Sequence, residues 1–416
     1  MIRIWQHIES GAWLTLERVR AYSLIVLALG TLAFAGWIAV SDGAIDRNGK
    51  PIGTDFSSFY TAGALALEGK ALDSYTAATH YARQQQLFGS DTPYYAWFYP
   101  PIFLLVAAPL AMLPYPLALA IWQGGSFVFY LLVISAILKR AALPDAVHRL
   151  WLPVAMAFPA AFINLGHGQN GFLTAGLFGS ALLALPRRPY LAGILFALMA
   201  YKPQFAIVIP LALFAAGQWR CIAAATLTII ALTGITSALF GIDCWIAFAS
   251  VTETSRQLLL EQGQVGFEKL QSAFAAIRMW RGNIASAYLV QGIVSIAVMT
   301  SAVWAWRVAR DTNLKAAILL IATLIASPHV LDYDLMLLGP AIAFMVVTGF
   351  SRGFRDYEIS LLALTWIMPL LTRSIAGAIE LPLGCLVMIA FYIIVLRRIL
   401  ADNSTSPRLH TQIAAA

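Results

Sequence analysis

Long apolar runs alternate with short polar segments from one end of the chain to the other. A helix needs roughly 20 apolar residues to cross a ~30 Å hydrocarbon core, and several runs approach that length whereas others fall short of it. We therefore expect an all-α polytopic membrane protein with about 12 transmembrane helices, within a range of about 11–13. The runs lie at roughly 21–40, 98–113, 117–138, 150–165, 170–186, 189–201, 203–217, 221–241, 285–306, 315–328, 334–350, 357–373 and 380–396.

Composition supports the membrane class and excludes a soluble multi-domain protein. Of the 416 residues, 60% are hydrophobic and only 11% are charged, and the mean hydropathy is +0.76. A soluble chain typically carries about 25% charged residues, so these charges are too few to solvate the surface of separate domains. Residues 1–416 are therefore expected to form a single integral membrane domain.

The basic residues indicate how the chain is oriented. The formal net charge is +7, but the basic side chains do not form a stripe that would bind nucleic acid, and no nucleic-acid partner is expected. They gather between apolar runs, as the positive-inside rule describes, and anionic membrane lipid would strengthen this preference. The clusters are Arg18/Arg20, Lys139/Arg140, Arg187/Arg188, Arg307/Arg310, Arg352/Arg355 and Arg397/Arg398, with Arg220 alone in a similar segment.

Cytoplasmic basic clusters fix most of the topology but leave one conflict. The loops near 166–170, 242–284, 328–334 and 373–380 fall outside, together with 41–97. Two apolar runs then separate an outside loop from Lys139/Arg140, where an odd number of crossings is required. We interpret 98–113 as re-entrant or partly embedded, because its prolines suit a bent segment buried by protein. Alternatively, both runs cross and Lys139/Arg140 lie outside.

Two outside loops are long enough to carry structure. The first external loop, 41–97, has helical patterns at 56–69 and 73–88 with mixed faces, and interfacial helices are expected there. The second external loop, 242–284, has helical patterns on both sides of a break at Gly263 and Gly266. Residues 402–416 are expected to form a disordered cytoplasmic tail. The run 21–40 is longer than a signal-peptide core and is interpreted as a retained first span.

Asp55 follows the first span and precedes a helical pattern, so it is either a helix N-cap or a functional carboxylate. Phe59 and Tyr60 lie one helical turn further along, and aromatic faces beside a carboxylate suit a polyhydroxylated ring. A carboxylate in a partly dry site acts as general base on a sugar hydroxyl. Asp55 is therefore a candidate catalytic residue, with Phe59 and Tyr60 as candidate substrate contacts.

A glycine-rich polar segment interrupts two short apolar runs at 166–171. Within lipid, such a break survives only against protein or a polar cavity. We therefore predict that His167, Gln169 and Asn170 line a substrate-binding cavity. Tyr99, which returns the chain to the membrane, is either an aromatic of the interfacial belt or a further substrate contact.

Ionisable residues occupy two further outside positions. Lys202 lies between two short apolar runs, where it either snorkels or contacts a lipid-borne phosphate. The segment 327–334 holds His329, Asp332 and Asp334 between two spans. A charge at mid-bilayer costs about 2.5–3.5 kcal/mol on insertion scales, so such groups usually line water or a site. One of these aspartates alternatively caps the next span.

Several other kinds of chemistry have no support in the sequence. The three cysteines, Cys221, Cys244 and Cys385, form no close-spaced pair and no metal-ligand pattern. Neither a Walker loop nor a Ser-His-Asp order is present. Neither a metal nor a cofactor is therefore expected.

Several of these segments together resemble glycosyltransferase family 87, whose members are membrane mannosyltransferases. The resemblance covers about residues 50–350, and its specificity comes from the order and spacing of the motifs. The sequence departs from the pattern at Phe59, where many relatives have tyrosine. The matching motifs are Asp55-Phe56-x-x-Phe59-Tyr60-x-Ala62-Gly63, Leu67-x-Gly69, Tyr75, Tyr99-Pro100-Pro101, Gly166-His167-Gly168-Gln169-Asn170, Lys202-Pro203-Gln204, Ser327-Pro328-His329 and Tyr333-Asp334.

This resemblance implies a GT-C fold and an inverting hexosyltransferase. The donor would be a polyprenyl-phosphate sugar, with mannose as the expected hexose, and the acceptor a lipid or glycan of the cell envelope. By motif match, Asp55 would be the general base, and His329 would orient the acceptor or meet the phosphate. Lys202 would contribute to substrate binding. The site would face the outside, or periplasm, of a bacterial inner membrane.

Two other classes of function compete with this one. A membrane transporter or flippase of lipid-linked sugars is disfavoured, because transporters commonly show repeated halves and the polar breaks here gather on one side. A non-catalytic scaffold would leave the clustered Asp, His and Lys side chains unexplained. Consumption of a polyprenyl-phosphate sugar without any gradient separates a transferase from a transporter.

Overall fold

A computed structural model describes residues 2–404, with side chains for residues 5–403. In this part of the chain the regular structure is helical, with isolated β-bridges but no strand. The α-helices are α1 Ile2–Ser10, α2 Leu16–Ala39, α3 Thr54–Leu67, α4 Ala77–Phe88, α5 Leu104–Ala111, α6 Tyr115–Leu138, α7 Asp145–His148, α8 Trp151–Met156, α9 Pro159–His167, α10 Gly171–Ala184, α11 Pro189–Ala197, α12 Val208–Ala215, α13 Trp219–Phe240, α14 Asp243–Ser255, α15 Ala273–Met279, α16 Ile284–Val308, α17 Thr312–Ala326, α18 Leu338–Arg352, α19 Glu358–Ile379 and α20 Leu383–Ser404.

Short 3-10 and π segments join several of these helices. The 3-10 segments are Ala71–Tyr75, Pro101–Phe103, Leu198–Tyr201, Pro203–Phe205, Phe267–Lys269 and Asp332–Leu337, and a π segment covers Arg256–Glu261.

Every apolar run predicted from the sequence coincides with a helical segment, which confirms the polytopic membrane class. Among the described residues, 8 helical segments are long and apolar enough to cross a membrane, and the remaining runs form shorter helices. Length and composition do not show which of the shorter helices cross, so the count of about 12 spans stays a prediction. The 8 segments are Leu16–Ala39, Tyr115–Leu138, Asp145–His167, Trp219–Phe240, Ile284–Val308, Asp332–Arg352, Glu358–Ile379 and Leu383–Asn403.

The first external loop contains both predicted helices, and α3 lies deeper in the protein than an interfacial helix would. Most of its side chains are buried, including Phe56, Phe59 and Thr61. At Gly63 the helix approaches the backbone of α5 so closely that a Cβ would clash with the Ala107 carbonyl group. The segment Pro101–Ala111 is only about 16 Å long at 1.5 Å per residue, which is too short to cross the bilayer alone.

Two glycines with left-handed backbone bring the start of α3 against the end of α9. Gly53 (φ +71°) precedes α3, and Gly168 (φ +66°) ends α9. A Cβ on Gly168 would lie 3.0 Å from the Gly53 Cα and 2.6 Å from the Phe56 Cβ. Since only glycine combines this backbone conformation with so close an approach, these two positions fix how segment 166–171 meets Asp55.

Helix α17 is enclosed by other helices, and the segment after it carries the second group of ionisable residues. Nearly all of its residues from Leu314 to Ile325 are buried. The chain then passes through 327–331 and the 3-10 segment Asp332–Leu337 into α18. The second external loop packs on this segment, as shown by the backbone N–H of Gln271, which donates to the Val330 carbonyl at 2.8 Å.

The final helix continues further than the polar composition of its end suggested. Residues 402–404, the start of the predicted disordered tail, belong to α20. The remainder of that predicted tail lies outside the described residues.

Candidate active site

Asp55 occupies the first turn of α3 without capping it. The N-cap residue is Gly53, and it makes no side-chain cap bond, so the N-cap interpretation of Asp55 is wrong. Asp55 Oδ2 instead accepts a hydrogen bond of 2.9 Å from Gln169 Nε2, and 28% of the Asp55 side chain is exposed. Its other oxygen, Oδ1, has no hydrogen-bond partner among the described residues. One oxygen of the carboxylate is therefore held and the other is open to a ligand.

A chain of hydrogen bonds determines which end of the Gln169 amide meets Asp55. Asn170 Nδ2 donates to the Tyr99 hydroxyl at 3.0 Å, and that hydroxyl donates to Gln169 Oε1 at 3.2 Å. The Asn170 backbone amide also donates to Gln169 Oε1, at 3.1 Å. Because Oε1 is occupied by donors, Nε2 is the end presented to the carboxylate. Burial, reinforced by the charge of Asp55, raises the pKa of Tyr99 well above its usual range, so the hydroxyl remains a donor.

His167 is next to this network at the end of α9. Its Nδ1 lies 3.1 Å from the Thr54 hydroxyl and 3.9 Å from Asp55 Oδ2, and 27% of the side chain is exposed. The imidazole ring also contacts the Tyr333 ring, with centroids 6.1 Å apart. His167 therefore borders Asp55 on the side that faces the segment 327–334.

Polar side chains on α6 and α9 hold segment 166–171 from behind. Trp122 Nε1 donates to the Gly168 carbonyl at 3.0 Å, and Gln123 Nε2 donates to the Gln169 carbonyl at 3.0 Å. Asn164 bridges Gln123 and the Gly171 amide through bonds of 3.1 Å and 2.7 Å. Sequence reasoning missed Gln123 as a site residue, although an amide inside the apolar run 117–138 is a usable signal.

The predicted contact of Phe59 with substrate does not fit its position. Phe59 is 2% exposed and packs edge-on against Tyr99 and Phe103, with ring centroids 5.1 Å and 5.0 Å away. It therefore supports the Tyr99 ring from the core. Tyr60 points towards the loop between α5 and α6 and the start of α6, because its hydroxyl donates to the Leu113 carbonyl at 2.8 Å and its ring packs on Tyr115.

Lys202 forms a buried ion pair with Asp334, which the sequence did not predict. The Lys202 Nζ lies 2.5 Å from Asp334 Oδ1, and the two side chains are 3% and 2% exposed. Asp334 Oδ2 also accepts the Leu331 amide at 3.0 Å, so this aspartate caps the 3-10 segment. Because Lys202 is enclosed, it does not snorkel, and its contact with a lipid-borne phosphate stays a prediction.

His329 and Asp332 lie in the same segment, 327–334, as Asp334. Burial lowers the pKa of His329, opposed by the charge of Asp334 and assisted by that of Lys202, so the imidazole is neutral near pH 7. Asp332 is 2% exposed, and its Oδ1 accepts the Tyr333 amide at 3.0 Å. The cationic or ionisable groups that act on Asp332 are His167, Arg373 and Lys269. Sequence reasoning passed over Arg373 and Lys269.

Tyr333 joins the two groups at one end of the helical bundle. Its ring contacts His167 on one side and lies 5.2 Å from the Lys202 Nζ on the other. The structure therefore brings Asp55, Tyr99, His167, Gln169 and Asn170 into one network beside Lys202, His329, Asp332 and Asp334. Within residues 2–404, no group of three or more His, Cys, Asp or Glu side chains is arranged to hold a metal ion.

Eight helical segments long and apolar enough to cross a membrane, with a cluster of ionisable, partly exposed side chains beside them, define the described part of the chain as a polytopic membrane protein with a candidate active site. The sequence profile of glycosyltransferase family 87 matches residues 97–328, more than half of the chain. The chain therefore belongs to glycosyltransferase family 87 and is a membrane glycosyltransferase. Comparison with curated proteins and with solved structures gave no significant match.

The matched region contains some of the site residues and leaves others outside. Tyr99, His167, Gln169, Asn170 and Lys202 lie within it. Asp55 precedes the matched region, and His329, Asp332 and Asp334 follow it.

Proposed function

We propose that the protein transfers a hexose, with mannose as the expected sugar, from a polyprenyl-phosphate donor to a lipid or glycan acceptor. The observation that carries this proposal is the state of the Asp55 carboxylate: Gln169 holds Oδ2 at 2.9 Å, and Oδ1 is open in a side chain that is 28% exposed. A general base needs both a fixed orientation and a free oxygen within reach of the proton that it abstracts.

The proposed reaction is a single displacement. Asp55 Oδ1 takes the proton of the acceptor hydroxyl while the hydroxyl oxygen bonds to the anomeric carbon. The bond from that carbon to the phosphate oxygen breaks, and the electron pair leaves with the polyprenyl phosphate. Attack opposite the leaving group inverts the anomeric configuration, so a β-linked donor yields an α-linked product.

Charge that develops on the phosphate requires nearby donors and cations. The His329 ring makes no hydrogen bond within residues 2–404 and, being neutral, retains one N–H for a phosphate oxygen. Arg373 and Lys269 both act electrostatically on Asp332, and Arg373 is exposed. We assign phosphate neutralisation to these two cations, because Lys202 is already neutralised by Asp334.

The proposed membrane placement follows from the basic clusters. If these lie in the cytoplasm, the ends of α9 and α17 that carry the site face the outside of a bacterial inner membrane. A re-entrant Pro101–Ala111 then carries the chain back from the first external loop, consistent with its length of about 16 Å. A polyprenyl donor reaches such a site from the outer leaflet.

The test is an assay of the purified full chain in detergent, where no gradient exists. Polyprenyl-phosphate mannose labelled in the sugar is incubated with protein and extracted cell-envelope acceptors, and a nucleotide sugar is the matched alternative donor. We expect labelled glycolipid or glycan only from the lipid-linked donor. Transfer from the nucleotide sugar alone would refute the donor assignment. Movement of intact donor across reconstituted vesicles without any transfer would instead favour a flippase.

A further inference from the structure

A large apolar cavity lies in the half of the bundle opposite the candidate active site. Its volume is about 590 Å³, and it is lined by α2, α6, α7, α8, α18 and α19 together with the loop before α2. That volume falls within the range of roughly 300–1,000 Å³ typical of ligand pockets. Its lining contains no Asp, Glu, Lys, Arg or His, and the hydroxyl of its one serine, Ser23, is already bonded to the Val19 carbonyl. The cavity therefore suits a hydrocarbon chain.

The first span stands away from the bundle to form one wall of this cavity. Ser23 is the one buried residue of α2 among its described side chains. The helix touches the bundle closely at Gly30, where a Cβ would lie 2.5 Å from the Phe162 ring. Near the beginning of α2, Trp13 lines the cavity, and its indole donates to the Ser360 hydroxyl at 2.7 Å.

The depth of the cavity matches one leaflet of a bilayer. Its lining on α2 runs from Leu16 to Val26, which corresponds to about 15 Å of helix, or half of a ~30 Å hydrocarbon core. These residues begin at the end of α2 that carries the basic cluster. The cavity therefore extends from the basic end of α2 to about the middle of the bilayer.

Basic side chains outnumber acidic ones around this end of the cavity. Arg18, Lys139 and Arg149 each directly follow or precede a lining residue, and none of them forms an ion pair in the described part of the chain. The acidic residues that directly adjoin a lining residue are Glu17 and Glu358, and Glu358 is paired with Arg398; Asp145 and Asp356 lie two residues from a lining residue. A surplus of exposed basic side chains beside an apolar cavity matches a molecule that has a hydrocarbon chain and an anionic head group.

We propose that this cavity binds an anionic glycerophospholipid of the leaflet on the basic side, with one acyl chain inside and the phosphate near Arg18 and Arg149. The polyprenyl donor fits this position poorly. The phosphate of the donor must reach the Asp55 site, which adjoins His167 at the far end of α9. Phe158, the lining residue that precedes α9, is about 13 Å from His167 along that helix. The lipid site is independent of the transfer reaction.

The test measures lipid that remains bound to the purified full chain, by native mass spectrometry and by lipid extraction. Ala343→Phe and Ala363→Phe place rings in the cavity, and Ala231→Phe, on the exposed surface of α13, is the matched control. We expect wild type and the control to retain about one anionic phospholipid each and the cavity variants to lose it. Arg149→Gln should weaken binding of added anionic lipid about fivefold, whereas Arg188→Gln, on the same face but away from the cavity, should not.

Three results would overturn the proposal. The first is an equal amount of phospholipid in wild type and in both cavity variants. The second is that the lipid bound to wild type and lost from the cavity variants is polyprenyl phosphate, which would assign the cavity to the donor. The third is equal affinity for anionic and zwitterionic phospholipids. If the cavity variants fail to fold, the comparison of Arg149→Gln with Arg188→Gln still decides the question of head-group charge.

Discussion

The hydrogen-bond chain from Tyr99 through Gln169 to Asp55 gives the sharpest prediction. Gln169→Leu removes the hydrogen bond of 2.9 Å that holds the Asp55 carboxylate, while leaving a side chain of similar length. A hydrogen bond to a charged group contributes about 1.5–3 kcal/mol. If that bond orients the base in the transition state, its loss lowers kcat by about 10- to 150-fold.

Tyr99→Phe acts on the same carboxylate indirectly, through Gln169. It takes from Gln169 Oε1 the hydroxyl donor at 3.2 Å, so the amide loses part of its fixed orientation. A neutral hydrogen bond contributes about 0.5–1.5 kcal/mol, and we expect kcat to fall about 2- to 12-fold. Because Tyr99 acts through Gln169, adding Tyr99→Phe to Gln169→Leu should lower kcat little further.

The assay is steady-state sugar transfer by the four proteins of this double-mutant cycle, with Gln264→Leu as an exposed control in the second external loop. KM for the donor should change little, because neither side chain is assigned a donor contact. Fully additive losses in the double variant would refute the relay. A rise in KM at unchanged kcat would show that Gln169 binds substrate and does not position the base.

Three further predictions concern stability in detergent. Lys202→Met leaves the Asp334 charge buried without its partner and should lower the free energy of unfolding by about 3–5 kcal/mol. The double variant Lys202→Met/Asp334→Asn should recover most of the loss in thermal unfolding midpoint. Equal midpoints for the single and the double variant would contradict this. Gly168→Ala should cost about 1 kcal/mol or more and disturb the contact with Phe56, and an unchanged midpoint would argue against the close approach. Burial lowers the pKa of His80 to about 4, so the unfolded chain binds more protons between pH 6.5 and 4 and stability falls by about 3 kcal/mol as the pH drops through that window. His80→Gln should abolish that part of the pH dependence of unfolding, and an unchanged slope would refute it.

The placement of the helices follows from the sequence because a membrane imposes a simple rule on it. Apolar runs must be helical where lipid surrounds them, and each predicted run coincides with a helical segment. The burial of α3 was not predictable in the same way, because its mixed composition fits both a membrane surface and a protein interior. Contacts with α5 decided the outcome, and these depend on the missing side chain at Gly63.

The sequence singled out most residues of the candidate site but not the pairs that they form. Polar side chains between spans are costly, which is why Asp55, His167, Gln169 and His329 stood out. Gln169 and Asp55 are 114 residues apart, and their contact depends on the approach of Gly168 to Gly53. Lys202 and Asp334 are 132 residues apart and pair because each charge would otherwise be buried alone. The burial of Phe59 was not predictable, because helical periodicity does not show which face of α3 meets the core.

The most direct test of the central claim is single-turnover transfer by Asp55→Asn with a labelled polyprenyl-phosphate sugar. The control is Asp91→Asn, which changes an exposed aspartate of the same external loop. The amide keeps the size of the side chain but cannot take the acceptor proton, so we expect transfer to fall by about 100-fold or more in Asp55→Asn and to remain unchanged in Asp91→Asn. Both variants should still bind the donor. Transfer by Asp55→Asn at the wild-type rate would contradict the assignment of Asp55 as the base.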